Sequence, residues 1–221
     1  MWGNGTFVRF DTAALPFVAL ATVPAVVAVV AGAPVIAALL VALPIAIGLF
    51  FRDPERHSST GAGLVLSPAD GRVMHAGPAR AGEAPPGSWL QVTIFLSVLD
   101  VHINRTPVPG RVLRVDYVPG TFKAAFRHDS HANERSEIWI DHDGVTVVVR
   151  QVVGLLARRV VCRVKAGDDL VAGQRIGLMK FGSRMDVFVP TSSTVTVKAG
   201  DRVTGGMTTI ARLQSAQEFR G

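Results

Sequence analysis

The sequence predicts a mainly β domain that follows an N-terminal apolar helical hairpin, and three observations lead to this prediction. Residues 12–51 form a run of forty positions without Asp, Glu, Lys, Arg or His. After this run the chain changes to short β-branched segments separated by Gly, Pro and Asp, which is typical of strands joined by turns. A ten-residue segment then recurs 33 residues later, so the β part contains an internal repeat.

The apolar run is about twice as long as one membrane-spanning helix, which needs about 20 residues. A Gly-Ala-Pro turn at residues 32–34 divides the run into residues 13–31 and 35–51. We therefore predict a membrane-associated helical hairpin over residues 1–51. Because a proline interrupts each half, the hairpin either spans the bilayer or enters it and returns.

Charged residues at the ends of the run predict its orientation. Arg9 precedes it, and Arg52 and Arg56 follow it. The positive-inside rule then places both ends, and with them the β-rich part at residues 52–221, on the cytoplasmic side of the cell membrane. A secretory signal peptide is the alternative, since Ala-Gly-Ala at residues 31–33 resembles a cleavage site, but the apolar run continues well beyond it.

The net charge, the cysteine content and the histidine spacing limit the binding partners and the covalent or metal links that we expect. The first 51 residues contain one arginine and one aspartate, so the β part keeps the whole net charge of +6. A basic domain beside a membrane suits anionic headgroups, and without clustered Lys and Arg between aromatics we expect no nucleic acid partner. The single cysteine, Cys162, cannot form an internal disulfide. No histidine has the spacing of a metal site, so no metal is expected.

The predicted strands are segments of four to ten residues that alternate or remain apolar. They cover residues 89–98, 111–118, 137–140, 145–153, 159–164, 186–189 and 194–198.

The internal repeat covers residues 164–173 and 197–206, each beginning Val-Lys-Ala-Gly-Asp. Each copy combines a strand end, a Gly-Asp turn, an apolar pair and a second glycine turn, and glycine allows such turns because it adopts positive φ. Two copies fit a pseudo-symmetric pair of half-barrels. Over residues 160–212 the sequence resembles the biotinyl and lipoyl carrier fold, so the fold class we predict is a barrel-sandwich β domain.

The segment between the two copies admits two functional interpretations. In carrier domains a lysine after a methionine receives biotin or lipoate at this place, and Lys180 follows Met179. Alternatively, Gly182 and Ser183 form a reactive dipeptide. A serine hydroxyl attacks the preceding carbonyl only where the backbone is bent, and glycine supplies that freedom.

Five short motifs follow one another along the chain. They are FFRDPER at residues 50–56, SPADG at 67–71, DVHINR at 100–105, NER at 133–135 and FGS at 181–183. This succession closely resembles the short, bacterial and archaeal form of the phosphatidylserine decarboxylase proenzyme. The resemblance covers essentially the whole chain, including the apolar hairpin.

The resemblance implies that the proenzyme cuts itself between Gly182 and Ser183. The products, 1–182 and 183–221, remain together as a heterodimer. Attack of the Ser183 hydroxyl on the Gly182 carbonyl converts the amide to an ester, elimination leaves a dehydroalanine, and hydrolysis with loss of ammonia gives a pyruvoyl group. This covalent pyruvate is the implied cofactor. Its ketone forms a Schiff base with phosphatidylserine, carbon dioxide leaves, and phosphatidylethanolamine is released.

His102 and Asp70 are the candidate acid-base residues. Histidine has a suitable pKa, and His102 follows a predicted strand within the Asp-Val-His motif. Asp70 matches the family aspartate that activates self-cleavage by orienting a histidine, as the buried carboxylate does in a serine triad. The longer form of the family completes its triad with a second histidine where this chain has Arg105, so the group that replaces it stays open.

Arg105 and Arg135 are candidates for holding the phosphate or carboxylate of the headgroup, because guanidinium forms paired hydrogen bonds to both. Two alternatives to this function remain. One is a membrane-anchored carrier modified at Lys180, and the other is the same decarboxylase chemistry on another serine phospholipid such as archaetidylserine. The sequence does not decide the acyl-chain preference or any oligomerisation beyond the heterodimer.

Overall fold

The computed structural model describes residues 8–59, 61–123, 132–154, 160–180 and 182–214. The chain divides into two compact units, Met1–Glu55 and Arg56–Gly221. Residue 159 of the predicted strand 159–164 and Phe181 of the fifth motif lie outside the described residues, as do residues 215–221 of the predicted smaller product.

The first unit is an apolar helical hairpin whose ends are joined by a small sheet. Its elements are β1 (Val8–Phe10), a 3-10 turn (Thr12–Ala14), α1 (Leu15–Val30), α2 (Pro34–Leu40), α3 (Ala42–Phe50) and β2 (Arg52–Pro54). After α1 the chain turns at Gly32, where φ is +72°, and Pro34 opens α2 at a position where its missing N–H is not needed. β1 pairs antiparallel with β2.

Small side chains are buried inside this hairpin, whereas most of its large aliphatic side chains are exposed. The buried residues of α1 and α2 are Ala21, Ala25, Ala28 and Ala37. The exposed aliphatic residues are Leu15, Leu20, Val23, Val26, Val27, Val29, Val30, Val35, Ile36, Leu39, Val41, Leu43, Ile45 and Leu49. Such packing through small residues is typical of helices in lipid. The segment Thr12–Val30 is long and apolar enough to cross a membrane.

The second unit consists of antiparallel strands. They are β3 (Leu64–Leu66), β4 (Gly71–Pro78), β5 (Trp89–Leu96), β6 (Ile103–Arg105), β7 (Gly110–Val118), β8 (Arg135–His142), β9 (Val145–Val152), β10 (Val161–Cys162), β11 (Asp169–Leu170), β12 (Arg175–Leu178), β13 (Ser183–Pro190), β14 (Thr194–Val195), β15 (Arg202–Val203) and β16 (Thr209–Arg212). One sheet has the order β11-β7-β8-β9-β13-β5-β4-β15, and two smaller sheets have the orders β10-β12-β6 and β14-β16-β3. The prediction of a mainly β fold is confirmed.

The sequence repeat corresponds to a two-fold pseudo-symmetry of the large sheet. Its copies supply β11 and β15, which form opposite edges. We call β7, β8, β9 and β11 the β9 half, and β4, β5, β13 and β15 the β13 half. Their registers agree, because Arg111 pairs with both Asp141 and Asp169, as Arg72 pairs with both Phe95 and Arg202.

Corresponding glycines begin β7 and β4. Gly110 and Gly71 have φ of +144° and +156°, and a Cβ at either would lie 2.1 Å from a carbonyl oxygen of the neighbouring strand. No side chain fits there, so both halves require glycine.

The apolar core lies against the inner face of the large sheet. On β13 the residues Met185, Val187 and Val189 belong to this core. Because side chains alternate along a strand, Arg184 and Asp186 point to the opposite, outer face.

Candidate active site

Ser183 is the first residue of β13 and is fully buried. It pairs with Leu96, the last residue of β5, and by strand alternation it shares the inner face with Met185. Its hydroxyl donates to the Lys180 carbonyl oxygen at 3.4 Å. The preceding Gly182 has φ of +67°, and a Cβ there would meet nothing within 4 Å. Conformation rather than space therefore favours glycine before Ser183.

His102 lies directly before β6 and is also fully buried. Its Nδ1 is 2.9 Å from the Asp100 carbonyl oxygen. A carbonyl only accepts, so we assign the proton to Nδ1 and the lone pair to Nε2. The His102 carbonyl accepts from the Met179 N–H at 3.2 Å, and the adjacent Ile103 pairs with Leu178. This ladder holds His102 beside the segment that leads to the predicted cleavage point.

Two buried amides, which the sequence reasoning missed, support the backbone at His102. Gln151 Nε2 donates to Asn104 Oδ1 at 2.8 Å, and Asn104 Nδ2 contacts the His102 carbonyl oxygen at 3.4 Å. Gln151 pairs with Met185 of β13. The sequence contained a signal for a buried polar residue here. Arg150 and Gln151 are consecutive in a predicted strand, and because successive side chains point to opposite faces, one of the two lies on the inner face.

Asp70 forms a paired salt bridge with Arg56. Its two carboxylate oxygens accept from Arg56 Nη1 and Nη2 at 2.6 and 2.8 Å. One of these oxygens also accepts from the Gly205 N–H at 2.8 Å, and Arg56 donates to the Gly205 carbonyl at 2.7 Å. In the described part of the chain the Asp70 carboxylate therefore bonds to Arg56 and Gly205 rather than to a histidine. Because Gly205 follows the predicted cleavage point, these bonds join the two predicted products.

Arg105 lies in β6 and is only 3% exposed. Its Nη1 donates to the Gly173 carbonyl at 3.0 Å. A Cβ at Gly206 would lie 2.8 Å from the Arg105 Cδ. The side chain is thus packed against the second glycine turn of both repeat copies.

Arg135 is the first residue of β8 and is half-buried. Its Nε donates to Glu137 at 2.9 Å. Arg135 pairs with Val152 of β9, which in turn pairs with Arg184 of β13. The register therefore places Arg135 at the same end of the sheet as the start of β13.

A buried ion-pair network covers the outer face beside this end. Arg184 Nη2 lies 3.0 Å from Asp186 and 3.1 Å from Glu83. Arg150 contacts Glu137 at 2.9 Å and donates to the Glu83 carbonyl. Burial opposes the charge of Arg184, but Asp186 and Glu83 raise its pKa above the ordinary value. Burial lowers the pKa of Arg150 despite Asp186 and Glu137.

This network fixes the long connection between β4 and β5, which carries Glu83, over the outer face of the sheet. Arginine keeps its charge near neutral pH, so the network holds the start of β13 from the side opposite Ser183.

Neither a metal site nor an exposed carrier lysine is evident at this place. Among the described residues, no group of three or more His, Cys, Asp or Glu side chains could hold a metal ion. Lys180 is half-buried, and its carbonyl oxygen accepts from Ser183.

Comparison with known proteins identifies the family. The family model described as phosphatidylserine decarboxylase matches residues 45–211. A phosphatidylserine decarboxylase proenzyme of Symbiobacterium thermophilum is 49% identical over 178 residues, which cover 80% of this chain and 83% of that protein. Proteins with the same name from Solibacter usitatus and Nitratidesulfovibrio vulgaris are 42% and 41% identical, over 88% and 90% of this chain and 91% and 92% of their own lengths. The chain therefore belongs to the phosphatidylserine decarboxylase family.

Proposed function

We propose that the chain cuts itself between Gly182 and Ser183, and then decarboxylates phosphatidylserine to phosphatidylethanolamine with the pyruvoyl group formed from Ser183. The placement of Ser183 and His102 supports this proposal. Both are fully buried, and the backbone at His102 is hydrogen-bonded to Met179, four residues before Ser183. The similar proteins are named proenzymes, which agrees with processing into two chains.

The residues at the predicted cleavage point fit the formation of a pyruvoyl group. The Ser183 hydroxyl attacks the Gly182 carbonyl carbon, gives its proton to His102 Nε2, and the C–N bond breaks as the amide nitrogen takes a proton. Loss of the Ser183 α-proton then breaks the ester C–O bond and frees the Gly182 carboxylate. Water adds to the remaining dehydroalanine and ammonia leaves. The positive φ of Gly182 favours a bent backbone at the attacked carbonyl.

The same residues would serve the decarboxylation. The pyruvoyl group supplies an electrophilic carbonyl that takes up the substrate amine and the electron pair released with carbon dioxide. His102 Nε2 would return a proton to the substrate carbon, because the bond from Nδ1 to Asp100 holds the ring in one orientation.

Three further charged residues have proposed roles. We assign Arg135, which is half-buried at the same sheet end as Ser183, to the anionic part of the headgroup. Arg105 is almost fully buried, and its positive charge would attract the phosphate or carboxylate of the headgroup from within the fold. Asp70 would assist self-cleavage through its bonds to Arg56 and Gly205, which connect the segments before and after the cut.

The cut chain should remain a heterodimer of its two products. β13 pairs with β5 along its whole length and with β9 on its other side. The smaller product therefore begins in the middle of the large sheet. Arg184, the second residue of the smaller product, is also bound to Glu83 of the larger product.

We also propose that the helical hairpin attaches the enzyme to the cell membrane. Its exposed surface is formed by large aliphatic side chains, which water does not solvate well. The segment Thr12–Val30 has the length of a membrane-spanning helix.

The mass of the purified protein tests the cleavage. We expect a C-terminal fragment that starts at position 183 with a blocked, pyruvoyl N-terminus, and we expect Ser183→Ala to abolish both cutting and decarboxylation. Lys180→Ala is the matched control, which should still cut and decarboxylate. An active wild-type enzyme consisting of one uncut chain with an intact Ser183 would contradict the proposal.

A further inference from the structure

The turn between β5 and β6 exposes two aliphatic side chains beside the candidate active site. Val98 and Leu99 are 52% and 79% exposed. They belong to residues 97–101, which we call the 97–101 turn. It begins directly after Leu96, the residue that pairs with Ser183, and ends directly before His102. The exposed aliphatic side chains of the 97–101 turn therefore lie between His102 and the strand position that pairs with Ser183, and His102 and Ser183 are the two residues to which we assign the chemistry.

The fold itself does not require an exposed aliphatic turn at this position. At the corresponding place in the β9 half, His142 and Val145 are paired and are joined by the short turn Asp143-Gly144. That turn carries no apolar side chain. The aliphatic residues of the 97–101 turn are thus a feature of the β13 half alone.

The charges beside the 97–101 turn also differ between the halves. Arg72 and Arg202 are exposed and directly opposite each other on β4 and β15, an arrangement that destabilises a sheet unless an anion compensates. The corresponding pair in the β9 half is Arg111 and Asp169, whose opposite charges are 3.7 Å apart. Arg202 contacts Asp100 at 3.3 Å, whereas Arg72 forms no ion pair with the described residues. The β13 half therefore has an uncompensated positive charge here.

Asp100 connects this surface to His102. Its carboxylate accepts from the Ser97 N–H and hydroxyl at 2.8 and 2.7 Å and contacts Arg202. Its carbonyl oxygen is the partner of His102 Nδ1. A partner bound to the 97–101 turn would consequently act on the residue that orients the imidazole.

We propose that the 97–101 turn, together with Arg72 and Arg202, docks on the surface of an anionic lipid bilayer. Val98 and Leu99 enter the boundary between headgroups and acyl chains, and the two guanidinium groups bind lipid phosphates. Aliphatic side chains flanked by cations suit such a surface. This inference extends the proposed function, since phosphatidylserine is an anionic lipid and would reach the site from the surface on which the turn docks.

A fluorescent probe tests the docking independently of catalysis. Leu99→Cys and the control Leu113→Cys, which replaces a 51% exposed leucine on β7, are prepared in a Cys162→Ser background that removes the only native cysteine. Each full-length protein is labelled with an environment-sensitive dye and reconstituted into phosphatidylcholine vesicles with or without phosphatidylglycerol. We expect the Leu99 dye alone to shift to the blue and to be quenched by nitroxides on the acyl chains, more strongly with phosphatidylglycerol.

Equal responses of the two dyes would overturn the proposal. A blue shift without lipid that grows with protein concentration would also overturn it, because the occupant would then be a second copy of the chain. Arg72→Gln and Arg202→Gln should each weaken the effect of phosphatidylglycerol about fivefold. The control Arg111→Gln should not.

Activity assays separate this inference from the proposed function. Val98→Ser combined with Leu99→Ser should lower decarboxylation of bilayer phosphatidylserine about tenfold, and should leave that of a water-soluble short-chain phosphatidylserine unchanged. An enzyme inactive on both substrates, with a quenched Leu99 dye, would contradict the proposed function alone. An active enzyme with an unquenched dye would contradict only the docking.

Discussion

The two halves of the large sheet share one backbone plan but differ at the corresponding ends of β9 and β13. Val145 starts β9 and pairs with His142, and a two-residue turn joins them. Ser183 starts β13 and pairs with Leu96 in the same way, but no turn joins this pair. The glycines before Val145 and Ser183 both have positive φ, +82° and +67°. The candidate active site therefore occupies the place where one half has an ordinary hairpin.

The two small sheets show the same contrast. The Met179 N–H donates to the His102 carbonyl as the Leu213 N–H donates to that of Gly63. The register then matches Asn104 with Val65, and places a polar residue where the other sheet has an apolar one. Pseudo-symmetry thus explains the fold, whereas the proposed chemistry resides in the side chains that depart from it.

Among the substitutions that test this difference between the two halves, His102→Ala is expected to have the largest effect on activity. His102→Ala removes the proposed acid-base group, so decarboxylation per cut chain should fall about 10²- to 10⁴-fold. The control is His142→Ala, since Nδ1 of His142 also bonds to a carbonyl oxygen, that of Pro109, at 2.9 Å. It should leave the rate unchanged. Assaying cutting by gel and decarboxylation by carbon dioxide release separates the two roles, and normal rates of both in His102→Ala would remove His102 from the site.

The shared plan could be predicted from the sequence where the backbone restricts the residue type. Each repeat turn uses an aspartate that accepts a backbone N–H three residues before it, as Asp168 does from Lys165 and Asp201 from Lys198. These local constraints recur as the same letters in the sequence. The pairing of β4 with β5 and of β7 with β8 does not recur in this way, because many apolar residues fill such strands equally well.

The candidate site was predictable only in part. The bent dipeptide at Gly182 and the histidine after a strand are local features, and the motif order added their context. The bonds of Asp70 to Arg56 and Gly205 join segments that are 14 and 135 residues away. The burial of Arg105 likewise depends on Gly173 and Gly206. No local sequence pattern predicts such contacts, since they depend on how the two repeat copies pack against each other.

A smaller effect is expected at the salt bridge between Arg56 and Asp70, which directly precedes β4 of the β13 half. Asp70→Asn removes a largely buried charge that accepts three hydrogen bonds, so the free energy of unfolding should fall by about 1.5–3 kcal/mol and cutting should slow. Asp169→Asn, at the exposed pair with Arg111 in the β9 half, should lower it by less than about 1 kcal/mol. Denaturant titration and a cleavage time course measure the two quantities. Equal losses of stability, with normal cutting in both variants, would contradict the role proposed for Asp70.

The smallest effect, and the sharpest comparison, concerns the two matched glycines. An added Cβ meets nothing within 4 Å at either Gly182 or Gly144, so alanine would introduce only the strain of a positive φ, about 1–2 kcal/mol. Measured in a Ser183→Ala background, where the chain stays intact, Gly182→Ala and Gly144→Ala should therefore lower the free energy of unfolding equally. With Ser183 present, only Gly182→Ala should also slow cutting.

This difference follows from what each turn does. Gly144 only has to reverse the chain, whereas the Gly182 carbonyl also has to present its carbon to the Ser183 hydroxyl, so strain relieved by a backbone shift there would move the attacked carbonyl. The cleavage time course of the two variants measures this. Equal cutting rates would mean that the positive φ of Gly182 serves the hairpin-like geometry shared by both halves and has no part in the reaction.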